Sequence, residues 1–297
     1  MNSDSLCHTF SHKLSHALPR GLSRSAAVLA LGCGMLFCAA HADQLQEVMQ
    51  RKELRCGTLG DIPPFAMADP RTRELVGFDI DMCNAVGKRL GVPVKLTPLS
   101  IEARVPEAKL GRVDIVIANL FYTLGRAEQI DFSDAYYVSR EVIVTKTSTP
   151  GSSKADFKGK VLTATKGSTS EIGIRLNESI PLTFQDTGSA YMAVVQNKAA
   201  GIVTNILTAS KFVKEAKASG VDLRVVDDAL VVAPVAVGIR KDEPALLAAV
   251  NNALLDMEKD GEIGRLWVKW LGPDTDYKIA RKEQVTPISE IKFNPAP

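Results

Sequence analysis

Between Asp114 and Tyr137 the chain reads DIVIANLFYTLGRAEQIDFSDAYY, and no other stretch constrains its fold as much. The apolar run Ile115-Val116-Ile117 is long enough for one buried parallel strand. The run stops at Ala118-Asn119, and a polar-aromatic loop follows, with Thr123 ahead of a glycine and then Arg126. Residues just past the carboxyl end of a strand are where open α/β sheets collect ligands. An arginine there can clamp a carboxylate, because its planar fork donates two parallel hydrogen bonds. The plainer reading is a solvated surface arginine on a first turn.

The flanking sequence alternates in the same way. Leu54 to Gly57 reads as a strand, and Asp61-Ile62-Pro63-Pro64-Phe65 as a rigid turn, since two prolines fix φ and cannot extend a central strand. A helix follows Gly77-Phe78-Asp79-Ile80-Asp81, with Met82, Val86 and Leu90 on one face and Gly91 as its stop. Val92 to Leu96 is the next strand, and Glu102 to Leu110 a helix closed by Gly111. This order predicts a parallel sheet with helical crossovers. A second unit begins near residue 142. Its expected strands are Val142 to Val144, Val161 to Ala164, Gly201 to Thr204, Val225-Val226 and Val235 to Ile239. Helices are expected over Glu171 to Leu176, after the Asp186-Thr187 cap, and from Asp242 to Leu271 with a break at Gly261. Gly167-Ser168-Thr169-Ser170, between a strand end and a helix start, offers free N–H groups and hydroxyls to an anion. Ordinary helix capping explains the same residues. The tail after Gly272, with four prolines, is expected on the surface.

At 297 residues the chain can bury a sizeable α/β core. A net charge of +2 is too small to suggest nucleic acid, and no basic helix or zinc-ligand spacing accompanies it. Neither a metal nor another cofactor is expected. The amino terminus reads as an export signal over residues 1–42. Lys13, Arg20 and Arg24 precede an apolar block, Ala26 to Cys38, that ends in Ala40-His41-Ala42. Cleavage after Ala42 is expected, leaving a mature start at Asp43. A lipoprotein cut before Cys33 or Cys38 fits the flanking residues poorly. No internal apolar run is long enough to span a membrane. Two cysteines remain after cleavage, Cys56 in the first strand and Cys83 in the first helix. An exported protein sits where a bridge can persist. It would close a loop of about 28 residues, worth roughly 3 kcal/mol; two separately buried thiols are the alternative.

A series of motifs, in order, resembles the extracellular solute-binding proteins of polar amino-acid ABC importers. They are L-R-C-G-T at Leu54 to Thr58, P-P-F at Pro63 to Phe65, V-G-F-D-I-D at Val76 to Asp81 and L-G-R-V-D-I-V-I-A-N at Leu110 to Asn119. T-x-x-R at Thr123 to Arg126 runs into D-F-S-D-A-Y-Y at Asp131 to Tyr137, then G-S-T at Gly167 to Thr169 and a closing D-G-E-I-G-R-L-W-V-K-W-L-G. The resemblance implies a two-lobed α/β fold, each lobe a mostly parallel sheet flanked by helices, joined by two hinge strands. Lobe 1 would be residues 43–139 plus 238–297, lobe 2 residues 140–237. The hinges would pass near Val138 to Val142 and Ala233 to Val237. By position, Arg126 would pair with a ligand α-carboxylate, helped by Ser168 and Thr169 from lobe 2. Asn119 and Phe121 would add backbone contacts, and Ile62 and Ile101 would sandwich the ligand. Arg104 matches an arginine of members that take acidic amino acids.

Three departures bear on the ligand. Asn205 stands where the family usually has an ammonium-binding Asp, Phe121 and Tyr122 stand at or beside a usual small hydroxyl, and Leu59 replaces a frequent polar residue. A neutral amide cannot neutralise a desolvated cation. Two arginines without that Asp favour an anionic or zwitterion-poor ligand, with lysine least favoured. The resemblance implies a non-enzymatic, monomeric periplasmic protein that takes an amino acid or small carboxylate and presents it to an inner-membrane ABC permease. Two other readings share the scaffold. One is a cyclohexadienyl-type dehydratase with Glu102, Asp61 or Asp186 as its acid or base; the other is a ligand-sensing module.

Overall fold

Apolar runs and capped helices resolve into one large mixed sheet with helices on its faces and a small separate hairpin. The computed structural model describes residues 43–297, so the export signal expected over 1–42 lies outside the described residues. In chain order the elements are α1 (Gln44–Arg51), β1 (Leu54–Thr58), β2 (Met67–Ala68), β3 (Leu75–Val76), α2 (Phe78–Leu90), β4 (Val94–Pro98), α3 (Arg104–Lys109) and β5 (Ile115–Val116). Next come α4 (Leu124–Ala127), β6 (Ile130–Lys146), β7 (Val161–Thr165), α5 (Thr169–Leu176), β8 (Ile180–Phe184), α6 (Thr187–Val195) and β9 (Gly201–Asn205). The last are α7 (Ile206–Ala218), β10 (Leu223–Arg240), α8 (Pro244–Lys259) and α9 (Glu262–Leu271). Among the described residues no helix is long and apolar enough to cross a membrane.

The main sheet runs β4-β1-β5-β10-β6-β9-β7-β8. Its outer pairs are parallel on both sides: β1 with β4 and β5, and β7 with β8 and β9. Between them the antiparallel strands β6 and β10 run through both sides of the sheet. Near Ile130 and Arg240 they belong with β5, and near Val144 and Val225 with β9. Their ladder shifts register between Val226 and Val231, beside β9, and again between Val235 and Gly238, on the approach to β5. The sequence reading placed only short strands at Val142, Val225 and Val235; each is part of one of these two long strands. The structure adds α1, the β2–β3 hairpin, α4, β8 and α7 to those expectations.

Local chemistry sets the helix ends. Gly91 and Gly261 take the left-handed conformation, at φ 73° and 74°, which closes α2 and separates α8 from α9. Asp186 caps α6 by accepting from Ser189 N at 2.7 Å. In the half built on β1, β4 and β5, one continuous core includes Phe65, Phe78, Tyr136, Tyr137 and Trp267. Cys56 and Cys83 are joined there, with Cα atoms 6.1 Å apart, tying β1 to α2.

The tail departs from the surface course expected of it. Thr286 exchanges two backbone hydrogen bonds with Ala135 of β6, at 2.9 and 3.0 Å. Arg281 pairs with Glu258 of α8 at 2.6 Å, and Phe293 packs edge-on against Tyr122. Val285 and Ala296 are buried, and the Ala296 carbonyl accepts from Leu124 N at 2.9 Å. The segment is a strap across the first half of the sheet, held by apolar contact and backbone pairing that its prolines conceal.

Candidate functional site

The carboxyl ends of β1 and β5, the start of α3, the middle of β6 and the ends of β7 and β9 converge on one cavity. It is lined by Leu59, Ile62, Ile101, Arg104, Asn119 and Phe121 from the first half. From the second come Thr165, Ser168, Thr169, Ser170, Thr187, Val203, Thr204 and Asn205, with Glu141 on β6 between them. Its volume is about 30 Å³. One water needs about 10–15 Å³ of such space, so a molecule the size of an amino acid enters only if the halves part.

Arg126 lies against this cavity without lining it. Thr123 caps the short α4 by accepting from Arg126 N at 3.2 Å, which fixes the arginine's backbone. Its Nη1 donates to the Phe121 carbonyl at 2.8 Å and to Thr169 Oγ1 at 3.0 Å, and its Nη2 to the Gly167 carbonyl at 3.2 Å. One guanidinium thus ties the loop after β5 to the start of α5. Burial lowers its pKa to about 10, so it keeps its charge at neutral pH. Gly167 permits the close approach: its φ is +71°, and a Cβ there would sit 2.9 Å from Glu102 Cα.

Arg104 is also buried, and burial first, then its neighbour Arg126, lowers its pKa to about 9. Its Nε donates to the Ile101 carbonyl at 2.9 Å, and Nη1 to the carbonyls of Ala118 and Asn119 at 2.8 and 3.1 Å. Nη2 has no hydrogen-bond partner among the described residues, so one edge of the fork stays unused beside the cavity. Asn119 sits at φ +45°, a conformation asparagine tolerates, with its N–H donating to Asp79 Oδ2 at 2.7 Å and its Oδ1 accepting from Tyr137 OH. Burial pushes the carboxyl of Asp79 up to about 7.

The second half supplies hydroxyls and a helix start. Ser168 Oγ caps α5 by accepting from Glu171 N at 3.2 Å, and Ser170 Oγ donates to Glu141 Oε2 at 2.5 Å. Asn205 lines the cavity, but its amide is committed elsewhere. Oδ1 accepts from the N–H groups of Leu207 and Thr208 at 3.1 and 3.0 Å, and Nδ2 donates to Thr208 Oγ1 at 2.9 Å. It is the N-cap of α7.

The sequence reading missed Glu141, which is 4% exposed. Burial pushes its carboxyl up to about 7, against the opposing pull of Ser170, Arg126 and Arg104. Only the strand register reveals its place: Glu141 pairs with Asn205 across the β6–β9 ladder. By contrast, Asp61, Glu102 and Asp186 do not line this cavity. Glu102 pairs with Lys166 at 2.9 Å, Asp186 caps α6, and Asp61 shares an outer groove with Asp186. Among the described residues no cluster of three or more acidic, histidine or cysteine side chains could hold a metal.

Residues 54–273 match the family model described as bacterial extracellular solute-binding proteins, family 3. The chain is 30% identical over 268 residues to the L-cystine-binding protein TcyJ of Escherichia coli, covering 88% of this chain and 98% of that one. An ancestral arginine-binding protein bound to arginine superposes with a TM-score of 0.68 at 32% identity, over 75% of this chain and 99% of the other. An ancestral amino-acid-binding protein described as a precursor of cyclohexadienyl dehydratase gives a TM-score of 0.69 at 32% identity, over 78% and 100%.

Proposed function

We propose, from the premise that this chain belongs to the bacterial extracellular solute-binding proteins, family 3, that it is the periplasmic binding component of an ABC importer for an amino acid or related small carboxylate. It works without making or breaking a bond. Residues 43–139 with 238–297 form one lobe and 140–237 the other, swinging about β6 and β10. The observation that carries this reading is the Arg126 guanidinium, buried at 7% exposure and shared between the two sides of the cavity.

Opening separates Arg126 from Thr169 and Gly167 and exposes its donors. A ligand carboxylate then takes the place of the Gly167 carbonyl and the Thr169 hydroxyl, and the N–H groups at the start of α5 add to the cradle. Arg104 Nη2 offers one further donor, Ile62 and Ile101 cover apolar parts of the ligand, and Asn119 and Phe121 shape the floor. Because these contacts form only when both lobes are in place, the ligand favours the closed form in proportion to its affinity difference for the two states. The closed form is what the permease receives. Export with cleavage near Ala42 would deliver the chain to the periplasm.

The dehydratase reading is less well supported, since its three candidate carboxylates stand outside the cavity. The deciding experiment is calorimetric titration of the small molecule that co-purifies with the protein, identified by mass spectrometry. Arg126→Ala is expected to weaken binding about 100-fold, the worth of a bidentate charged contact. Unchanged affinity would mean that the binding site lies elsewhere. Small-angle scattering with and without that molecule checks closure, and superimposable profiles would count against it.

A further inference from the structure

Inside the cavity the charges are arranged asymmetrically. Arg104 and Arg126 flank it from the first half, and Glu141 is the sole acidic side chain among the residues that line it. Glu141 forms no ion pair with either arginine, so positive and negative charge stand apart across the cavity. Its Oε2 is held by Ser170, while Oε1 has no hydrogen-bond partner among the described residues. A carboxylate nine-tenths buried, with one oxygen fixed and the other unused, is costly to retain unless something positive meets it.

Asn205 cannot supply that negative charge. Its amide is neutral, and its oxygen already accepts from two N–H groups of α7. Glu141 is its cross-strand partner, and directly paired residues of an antiparallel ladder carry their Cβ atoms about 5 Å apart on one face. The acidic group that borders the cavity thus stands on β6, one strand across from the neutral amide on β9.

We infer that Glu141 is the counter-charge for the ammonium group of the ligand, and that the site therefore selects a zwitterionic amino acid over the matching acid without an amine. This rests on the proposed binding function and narrows its ligand class. It also reverses the expectation, drawn from the two arginines and the neutral Asn205, of an anionic or zwitterion-poor ligand. Arg126 holds the carboxylate and Glu141 the ammonium on the same carbon, and Ser170 fixes the rotamer of the glutamate.

The test titrates purified, ligand-stripped protein with the twenty common L-amino acids and with 2-hydroxy acids of matching side chain. Wild type is expected to bind at least one amino acid about 30-fold or more above its 2-hydroxy counterpart, the scale for losing one partner of a buried charge. Glu141→Gln should erase most of that preference by weakening the amino acid and sparing the 2-hydroxy acid. Glu141→Asp should retain part of it, and melting curves matched to wild type exclude misfolding as the cause. Amino-acid affinity of E141Q within twofold of wild type overturns the inference, as does a wild type that binds only amine-free acids. Either result leaves the proposed function standing. Loss of both ligand types in R126A supports that function separately, and indifference of both to R126A strikes the function itself.

Discussion

The two halves of the sheet are built alike and filled differently. Around β1, β4 and β5 a single core runs through linked aromatic rings: Phe78 and Tyr137 each meet Trp267 at 5.6 Å, and Tyr136 meets Tyr137 at 5.4 Å. A disulfide and the tail strap reinforce it. Asp114 sits fully buried at its base, held by Arg51, by Arg55 at 2.7 Å and by Gln44 at 3.1 Å. Around β7, β8 and β9 the apolar residues divide into two smaller clusters on opposite faces, one with Phe212 and one with Phe157. The heavy half holds both cationic side chains of the site, and the light half contributes hydroxyls, the start of a helix and Glu141, which is laddered to β9 and held by Ser170. The two signs of charge are thus divided between the halves, and the acidic one is desolvated by the smaller frame.

The largest expected effect tests that difference in mass. Phe78→Ala should cost about 3–5 kcal/mol in urea unfolding. Phe157→Ala should cost about 3 kcal/mol, near the lower end of that range, because its cluster is smaller. A larger loss at Phe157 would break the comparison. Reduction of the Cys56–Cys83 bridge should remove roughly 3 kcal/mol. Amide exchange should then speed up in β1 and α2 ahead of β7, and uniform acceleration would show that the halves unfold as one.

A pH series probes the boundary between the halves. Glu141 has its pKa raised from 4.5 to about 7 when folded, so the folded state holds the extra proton. Its contribution is fully present below pH 4.5 and is lost as pH rises through about 7. Unfolding free energy should fall by roughly 3 kcal/mol across that window from Glu141 alone, and E141Q should lessen the slope. Asp79, raised for the same reason, keeps the remainder, and its charged neighbour Arg104 opposes the shift. A slope identical in wild type and E141Q would show that Glu141 does not titrate there. The smallest effect is at the α7 cap: Asn205→Ala should lower stability by about 1 kcal/mol, read as a shift in melting temperature. No shift would mean that the cap is not what holds the amide.

What the sequence disclosed follows the range of each interaction. Gly91, Gly261 and Asp186 mark helix ends through bonds a few residues long, and each was legible. The apolar run at Ile115 announced the strand that leads to the site, and the ordered motifs brought the cavity-lining residues together on paper. The length of β6 and β10 was hidden, because Ser139, Arg140 and Glu141 interrupt the apolar pattern and Pro234 argues against a central strand. Pro234 nevertheless lies within β10 opposite Val138, and its carbonyl accepts from Tyr122 N at 2.9 Å. Glu141 could not be read at all, since its place opposite Asn205 depends on a register between strands some sixty residues apart. The capping role of Asn205 was available in principle: an asparagine directly before Ile206 and Leu207 is an ordinary helix-start signal.

The strap has a bearing on how little of this protein would suffice. The family match stops at residue 273, yet the amide of Leu124, two positions before Arg126, is held by the carbonyl of Ala296. A version trimmed to the matched region would keep every side chain that touches the cavity and lose the backing of the turn that aims its main cation. That turn therefore cannot be completed until the last residues of the sequence are in place, however early its own residues settle.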